Sequence, residues 1–199
     1  SLTINNALST TQAIASKTLT TGQTSVNFTP VTASGGVGTL SYSISPALAN
    51  GLSLNTATGA ITGTTVTGTL SATTYTVTVT DSATPTAHTS SKTFSLTING
   101  LTATQAIASQ TQATGDSANF TPVTGSGGLT PYTYSISPAL GNGLSINSTT
   151  GAITGTVTGT LAQTTYTVTV TDANNVTASN TFSLTINNAL STTQAIASK

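Results

Sequence analysis

Only a few side chains of this sequence have the chemistry of a catalytic group. The 199-residue chain contains three acidic residues, three lysine or arginine residues and one histidine, and it lacks cysteine. The histidine, His88, lies in the stretch ATPTAHTSS, which is typical of an exposed loop. Catalysis needs a positioned acid, base or nucleophile, and this chain offers few candidates for any of them. We therefore expect no enzyme activity and no cofactor.

Two aspartates occupy the same place in different parts of the chain. Asp81 and Asp172 each follow directly after the segment TVTVT. An aspartate there could ligate calcium between domains, but calcium takes 6–8 oxygen ligands, several of them from carboxylates. Asp116 is the only other acidic residue, and Gln23 stands at its position in the first half. We therefore expect Asp81 and Asp172 to accept backbone hydrogen bonds in a turn, and we expect no metal site.

The scarcity of charge limits the classes of partner. Charged residues make up 3% of the chain, against about a quarter in a typical soluble domain. Basic and acidic residues are equal in number, so the sequence has no electrostatic basis for binding nucleic acid, anionic lipid or an acidic substrate. Hydrophobic residues make up 36% of the chain, which favours a folded protein over a disordered one. No run approaches the roughly 20 apolar residues that span a bilayer, so we expect no membrane insertion.

An internal repeat organises the sequence. SLTIN begins at residues 1, 95 and 183, which spaces its copies 94 and 88 residues apart. YSISPALANGLSLNTATGAITG at 42–63 corresponds to YSISPALGNGLSINSTTGAITG at 134–155. The first seventeen residues, SLTINNALSTTQAIASK, return unchanged at 183–199. The chain therefore contains two similar units of roughly 90 residues.

Apolar and polar residues alternate within each unit, which predicts half-buried β-strands. In the segment TYTVTVT at 74–80, tyrosine and valine share one face while threonine takes the other. No segment has a convincing helical period, and glycine and asparagine clusters mark the turns. Further strands are predicted around Ile14, 26–28, 42–44, 52–54, Ile61 and 94–98. About seven short strands per unit indicate an all-β fold, namely tandem immunoglobulin-like β-sandwich domains.

Several residues of this pattern have a predicted structural role. The turn at 55–59 joins two strands, and Gly59 is free to take a positive φ there, as is Gly151 in the second unit. Tyr75 and Tyr166 each precede an inward valine by two residues. That spacing is typical of a tyrosine corner, in which a buried ring hydrogen-bonds back to the chain.

The run SPALANGLSLNTATGAITG, followed by TYTVTVTD and KTFSLTI, resembles a known family. It is similar to the immunoglobulin-like and cadherin-like domains found in tandem in large bacterial surface proteins and adhesins. The resemblance covers both units and hence nearly the whole chain. It implies an extracellular array of β-sandwiches whose motif residues are structural, and it implies no catalytic site.

The repeated segments predict the domain boundaries. If SLTIN is the last strand of a domain and TQAIAS the first strand of the next, the two complete domains occupy residues 8–99 and 101–187. Residues 1–6 would then be the last strand of a preceding repeat, and residues 188–199 the first strand of a following one. Two alternatives are that the terminal strand inserts into a neighbouring molecule, or that the segment was cut at an arbitrary point.

The surface chemistry favours a structural role. Outward positions filled by Thr, Ser, Asn and Gln repel neighbouring molecules very little, so they permit close packing of copies. We expect an extracellular or cell-surface segment of a fibre, filament, sheath or stalk. Its expected partners are other copies of itself or neighbouring repeats of the same chain.

Two other functions fit the same sequence. The repeats could be those of an adhesin that binds a glycan or surface partner through its loops, or they could be the spacer of an extracellular enzyme. A glycan site would need an exposed aromatic residue with polar groups around it. Tyr132, which stands where the first unit has Leu40, is the best candidate for a ligand contact.

Overall fold

The computed structural model describes residues 6–191. The chain forms two compact units that divide between Gly100 and Leu101. We call them unit 1 and unit 2. Every regular element in the described residues is a β-strand, so no helix there is long and apolar enough to cross a membrane.

Unit 1 consists of nine strand segments arranged in two main sheets. One sheet has the order β2-β9-β8-β5, the other has the order β3-β7-β6, and β1 pairs with β4 beside them. The segments are β1 (Ser9–Gln12), β2 (Ser16–Thr20), β3 (Thr24–Phe28), β4 (Val31–Ser34), β5 (Ser41–Ser45), β6 (Leu52–Leu54), β7 (Ile61–Thr65), β8 (Leu70–Thr80) and β9 (Thr89–Asn99).

Unit 2 repeats this topology strand for strand. Its main sheets have the orders β11-β18-β17-β14 and β12-β16-β15, and β10 pairs with β13. The segments are β10 (Thr102–Gln105), β11 (Ser109–Ala113), β12 (Ser117–Phe120), β13 (Val123–Ser126), β14 (Thr133–Ser137), β15 (Leu144–Ile146), β16 (Ile153–Thr156), β17 (Leu161–Thr171) and β18 (Thr177–Asn187). The prediction of tandem β-sandwiches is confirmed.

The first strand of each unit is broken, which the sequence did not predict. The strand expected around Ile14 consists instead of β1 and β2 on either side of it. The backbone N–H groups of Ala13 and Ile14 both donate to the carbonyl of Pro30, at 2.8 and 3.1 Å. Pro30 itself interrupts the next strand, between β3 and β4. Because two strands are each broken in two, about seven predicted strands become nine segments.

Each core lies between the two main sheets of its unit, and the period-two pattern fills it. In β8 and β9 the alternate apolar residues are buried, while the threonines and serines between them face outward. Phe28 meets Phe94 edge to face, and Phe120 meets Phe182 in the same way. Such burial of apolar area supplies most of the folding free energy of a domain without disulfides.

The predicted domain boundaries remain a prediction. Residues 1–5 and 192–199 lie outside the described part of the chain, and these include most of the two terminal segments that were assigned to neighbouring repeats.

Candidate functional site

Four of the residues singled out from the sequence belong to two motifs that each unit repeats, namely a buried aspartate between two loops and a glycine turn beneath a tyrosine. In unit 1, Asp81 directly follows β8 and is 3% exposed. Its Oδ1 accepts hydrogen bonds from the backbone N–H groups of Ala83 (3.2 Å) and His88 (2.7 Å). Its Oδ2 accepts one from the backbone N–H of Val37 (3.0 Å). The carboxylate therefore ties the β4–β5 loop to the β8–β9 loop.

Unit 2 builds the same arrangement around Asp172, which is 4% exposed. Oδ1 accepts hydrogen bonds from the backbone N–H groups of Asn174 (2.8 Å) and Val176 (2.9 Å). Oδ2 accepts one from the backbone N–H of Leu129 (3.0 Å). We call each aspartate with its backbone donors an aspartate brace.

The hydrogen bonds of the unit 1 brace favour the ionised carboxylate. The bond from the backbone N–H of His88 is the largest cause, and it lowers the pKa of Asp81 to about 2 against the opposing effect of burial. The N–H groups of Val37 and Ala83 act in the same direction, as does the His88 ring, whose Nδ1 lies 3.1 Å from Oδ2. A carboxylate held ionised and occupied by backbone donors braces loops and is a poor proton acceptor.

Glycine is required where the β4–β5 loop passes the carboxylate. Gly128 has a φ of +57°, and a Cβ added there would lie 2.6 Å from Oδ2 of Asp172. Gly36, its counterpart, has a φ of +80°, and a Cβ there would lie 3.1 Å from the Cβ of Asp81. The Gly-Gly pair that precedes Val37 or Leu129 therefore allows the backbone to pass close to the aspartate side chain.

A cavity of about 430 Å³ lies beside the unit 1 brace. Asn6, Leu8, Val37, Asp81 and His88 are among its lining residues. Within residues 6–191, no group of three or more His, Cys, Asp or Glu side chains is placed to hold a metal ion. The His88 side chain is 66% exposed, and its ring Nδ1 lies 3.1 Å from Oδ2 of Asp81.

The turn between β6 and β7 holds a glycine beneath a tyrosine ring. Gly59 has a φ of +71°, and a Cβ there would lie 2.6 Å from the ring of Tyr42. In unit 2, Gly151 has a φ of +72°, and its Cβ would lie 2.7 Å from the ring of Tyr134. The positive φ that the sequence suggested is thus accompanied by ring packing that it did not suggest.

The asparagine at the start of this turn makes hydrogen bonds to the backbone that the sequence did not predict. Oδ1 of Asn55 accepts hydrogen bonds from the N–H groups of Ala57 (2.9 Å) and Thr58 (3.1 Å), and Asn147 repeats this pattern in unit 2. The shared spacing Asn-x-x-x-Gly in both units was the available signal, because asparagine side chains commonly bond the backbone two residues on.

The two tyrosines of the predicted corners lie in the cores. Tyr75 is 3% exposed and stacks on Phe94 with ring centroids 5.7 Å apart. Tyr166 stacks on Phe182 at the same distance. The hydrogen bond that defines a tyrosine corner stays a prediction.

Tyr132 lies in the β13–β14 loop and is half-buried. Its hydroxyl donates a hydrogen bond to the carbonyl of Gly127, and its ring packs against the unit 2 core. These contacts give the ring a structural role within its own unit. Contact of Tyr132 with a ligand stays a prediction.

Comparison with known proteins places the chain in a family. Residues 3–99 and 101–187 each match the family model described as "Putative Ig domain". The chain belongs to this family. Both of its units are immunoglobulin-like domains, and together the two matches span most of the sequence. No curated protein sequence matches the chain.

Many solved structures are similar to this tandem. The human protocadherin-24 EC1-2 structure is 15% identical, with 94% of this chain and 100% of that chain covered and a TM-score of 0.45. The structure of protocadherin gamma B2 extracellular cadherin domains 3-6 is 19% identical, with 94% of this chain and 52% of that chain covered and a TM-score of 0.44. The architecture assigned to each unit rests on its own strand pairing.

Proposed function

We propose that this chain is a structural segment of an extracellular fibre, filament, sheath or stalk in which immunoglobulin-like domains follow one another end to end. The observation that carries the proposal is the parallel pairing of the first and last strands of each unit. β2 runs parallel to β9 over five residue pairs, from Ser16 with Ser95 to Thr20 with Asn99. β11 and β18 pair in the same way.

This pairing determines where the chain enters and leaves each sandwich. Two parallel strands have their amino ends at the same end of the sheet, so a chain that enters at β2 and leaves from β9 does so at opposite ends. An eleven-residue strand such as β9 spans about 36 Å at about 3.3 Å per residue. Each unit therefore separates its neighbours by roughly 35–45 Å and can serve as a spacer.

The same pairing suits a segment under tension. Pulling on the entry of β2 and the exit of β9 acts along the strands in opposite directions, so the hydrogen bonds between them are loaded together. Both units have this arrangement and both have complete apolar cores. Tension along the chain therefore meets the same resistance at every repeat.

The terminal segments support an array of more than two repeats. Leu8, Leu101 and Leu190 occupy equivalent positions in the repeated sequence. Leu8 and Leu101 are half-buried in their units. We infer that residues 188–199 begin a following repeat and that residues 1–6 close a preceding one.

The location and partners belong to the same proposal. Membership of this domain family and the resemblance to bacterial surface repeats support an extracellular site, and the 3% content of charged residues supports association with other copies.

Electron microscopy of the native material tests the function. We expect long filaments or stalks with an axial repeat of roughly 35–45 Å, the length of one domain. Salt should have little effect on them because few groups ionise. Globular particles without a repeat, or dispersal of the filaments by salt alone, would contradict the proposal.

A further inference from the structure

Hydroxyl side chains fill most of the outer face of the four-stranded sheet in unit 1. We call fourteen of its positions on β2, β5, β8 and β9 the hydroxyl face. Asn99, which pairs with Thr20, lies beyond them at one end of the sheet. Every one of these fourteen side chains is exposed or half-buried. The members are Ser16, Thr18, Ser41, Ser43, Ser45, Thr74, Thr76, Thr78, Thr80, Thr89, Ser91, Thr93, Ser95 and Thr97.

The hydroxyls are aligned across the strands. Ser43, Thr78 and Ser91 occupy paired positions on three neighbouring strands, and rows of the same kind lie on either side of them. Neighbouring strands are about 4.8 Å apart, and alternate residues along a strand are about 6.7 Å apart. The face is therefore a regular array of hydroxyl groups.

Unit 2 carries the same face with the same residue classes. Each of the fourteen equivalent places on β11, β14, β17 and β18 again holds serine or threonine, and Ala113 and Asn187 pair beyond them at one end of the sheet. The members are Ser109, Thr111, Thr133, Ser135, Ser137, Thr165, Thr167, Thr169, Thr171, Thr177, Ser179, Thr181, Ser183 and Thr185.

Strand propensity explains only part of this composition. Threonine suits an exposed strand, but soluble domains usually place charged residues on about a quarter or more of such surface and on sheet edges in particular. The two lysines carried by strands of this sheet, Lys17 and Lys92, pair with Leu96 and Val77 and so occupy the opposite face. The hydroxyl faces thus lack the charges by which sheets usually avoid association.

A face made of hydroxyls is complementary to itself. Each hydroxyl can both donate and accept a hydrogen bond, and bringing two such faces together buries no charge. We propose that the hydroxyl faces are the surface through which copies of this chain associate side by side. This names the contact of the proposed fibre and rests on that function. The partner is a second copy of the chain, presenting the same face.

The size of the face predicts weak contacts that add up. Four strands and five alternate positions cover about 400–600 Å². A stable interface needs about 800 Å² from each partner, so one face is insufficient. Repeats in one array multiply the contact, because each later contact forms at a high effective concentration.

The test is sedimentation equilibrium of the full 199-residue chain. Thr78 and Thr169 lie near the centres of the two faces, and the double variant T78K/T169K places a lysine in each. The matched control T62K/T154K adds the same charge to the outer face of the three-stranded sheets. We expect the apparent molecular mass of the wild-type chain to rise with protein concentration, with a dissociation constant of about 0.1–1 mM for self-association. Like-charge repulsion in T78K/T169K should raise this dissociation constant about tenfold or more. The control T62K/T154K should change the dissociation constant by less than about twofold.

A second measurement shows whether the faces meet each other. T78K/T169K mixed with T78E/T169E should regain association at low salt and lose it again at about 1 M salt, where charges are screened within about 3 Å. Circular dichroism first verifies that all variants are folded. A wild-type chain that stays monomeric at about 1 mM, equal loss in both lysine variants, or no recovery on mixing would overturn the inference.

The two proposals fail separately. Native filaments that exist while the wild-type faces do not associate would remove this inference alone. Association through the faces in material that lacks filaments would remove the proposed function.

Discussion

The two units differ most where β8 and β9, or β17 and β18, are joined. In unit 1 the loop from Asp81 to His88 spans eight residues, whereas the loop from Asp172 to Val176 spans five. The main-chain closure is the same, since the aspartate N–H donates to the carbonyl of the last loop residue at 3.0 Å in each unit. A loop can therefore change length and sequence while its ends keep one geometry.

The brace shows which part of the loop matters. Each aspartate accepts a hydrogen bond from one N–H group of an earlier loop, which is β4–β5 in unit 1 and β13–β14 in unit 2. Each also accepts hydrogen bonds from two N–H groups of the loop that it begins. The His88 ring adds a contact in unit 1 that unit 2 does without. The common function is thus carried by backbone donors, and the histidine is a local addition.

Replacing the turn glycine should cause the largest loss of stability, and the loss should be similar in the two units. We expect G151A to destabilise unit 2 by about 2–5 kcal/mol, because alanine is strained at a φ of +72° and its Cβ would displace the Tyr134 ring. G59A should do the same to unit 1. Calorimetry of the full chain would measure both, and an unchanged transition in either variant would contradict the packing described for that turn.

Removing the aspartate brace of unit 2 should cause the second-largest loss of stability. D172A removes the carboxylate that accepts hydrogen bonds from the backbone N–H groups of Leu129, Asn174 and Val176. We expect a loss of about 2–4 kcal/mol in the unfolding free energy of unit 2, with unit 1 unaffected. Denaturant unfolding that shows one shifted and one unshifted transition would agree with this. A shift of both would not.

Acid should weaken unit 1 in a defined pH window. The pKa of Asp81 is lowered to about 2 in the folded state, below its value in the unfolded chain. Its stabilising contribution is therefore complete above about pH 4 and is lost as the pH falls toward 2. The melting temperature of unit 1 should fall in that window, and D81N should remove this part of the pH dependence. An unchanged pH profile in D81N would contradict the assignment.

The smallest expected effect concerns a contact between a lysine and an aromatic ring in unit 1. Lys17 Nζ lies 5.6 Å from the centroid of the Phe28 ring, and Gln110 stands at the equivalent place in unit 2. K17Q should cost unit 1 about 0.5–1 kcal/mol, and Q110K should stabilise unit 2 by a similar amount over Phe120. Thermal melts of both variants would show opposite shifts, and shifts of the same sign would argue against a cation–π contact.

Local features of this fold can be predicted from the sequence, whereas non-local features cannot. The inward residues of β8, such as Val77 and Val79, followed from alternation along one strand, because a strand places successive side chains on opposite faces. The break at Ile14 did not, because it depends on the carbonyl of Pro30 sixteen residues away. The packing of Tyr42 on Gly59 could not be predicted either, because it brings a residue of β5 against the turn between β6 and β7.

The sequence by itself determined that this protein is a tandem of β-sandwich domains with nearly uncharged surfaces. Period-two alternation, repeated turns and composition are all local properties of the chain, and they suffice for that conclusion. Only the tertiary structure decided which loops Asp81 and Asp172 join, and that hydroxyls from four strands form one face. Those features depend on strand register and on contacts between residues far apart in sequence, which no local pattern specifies.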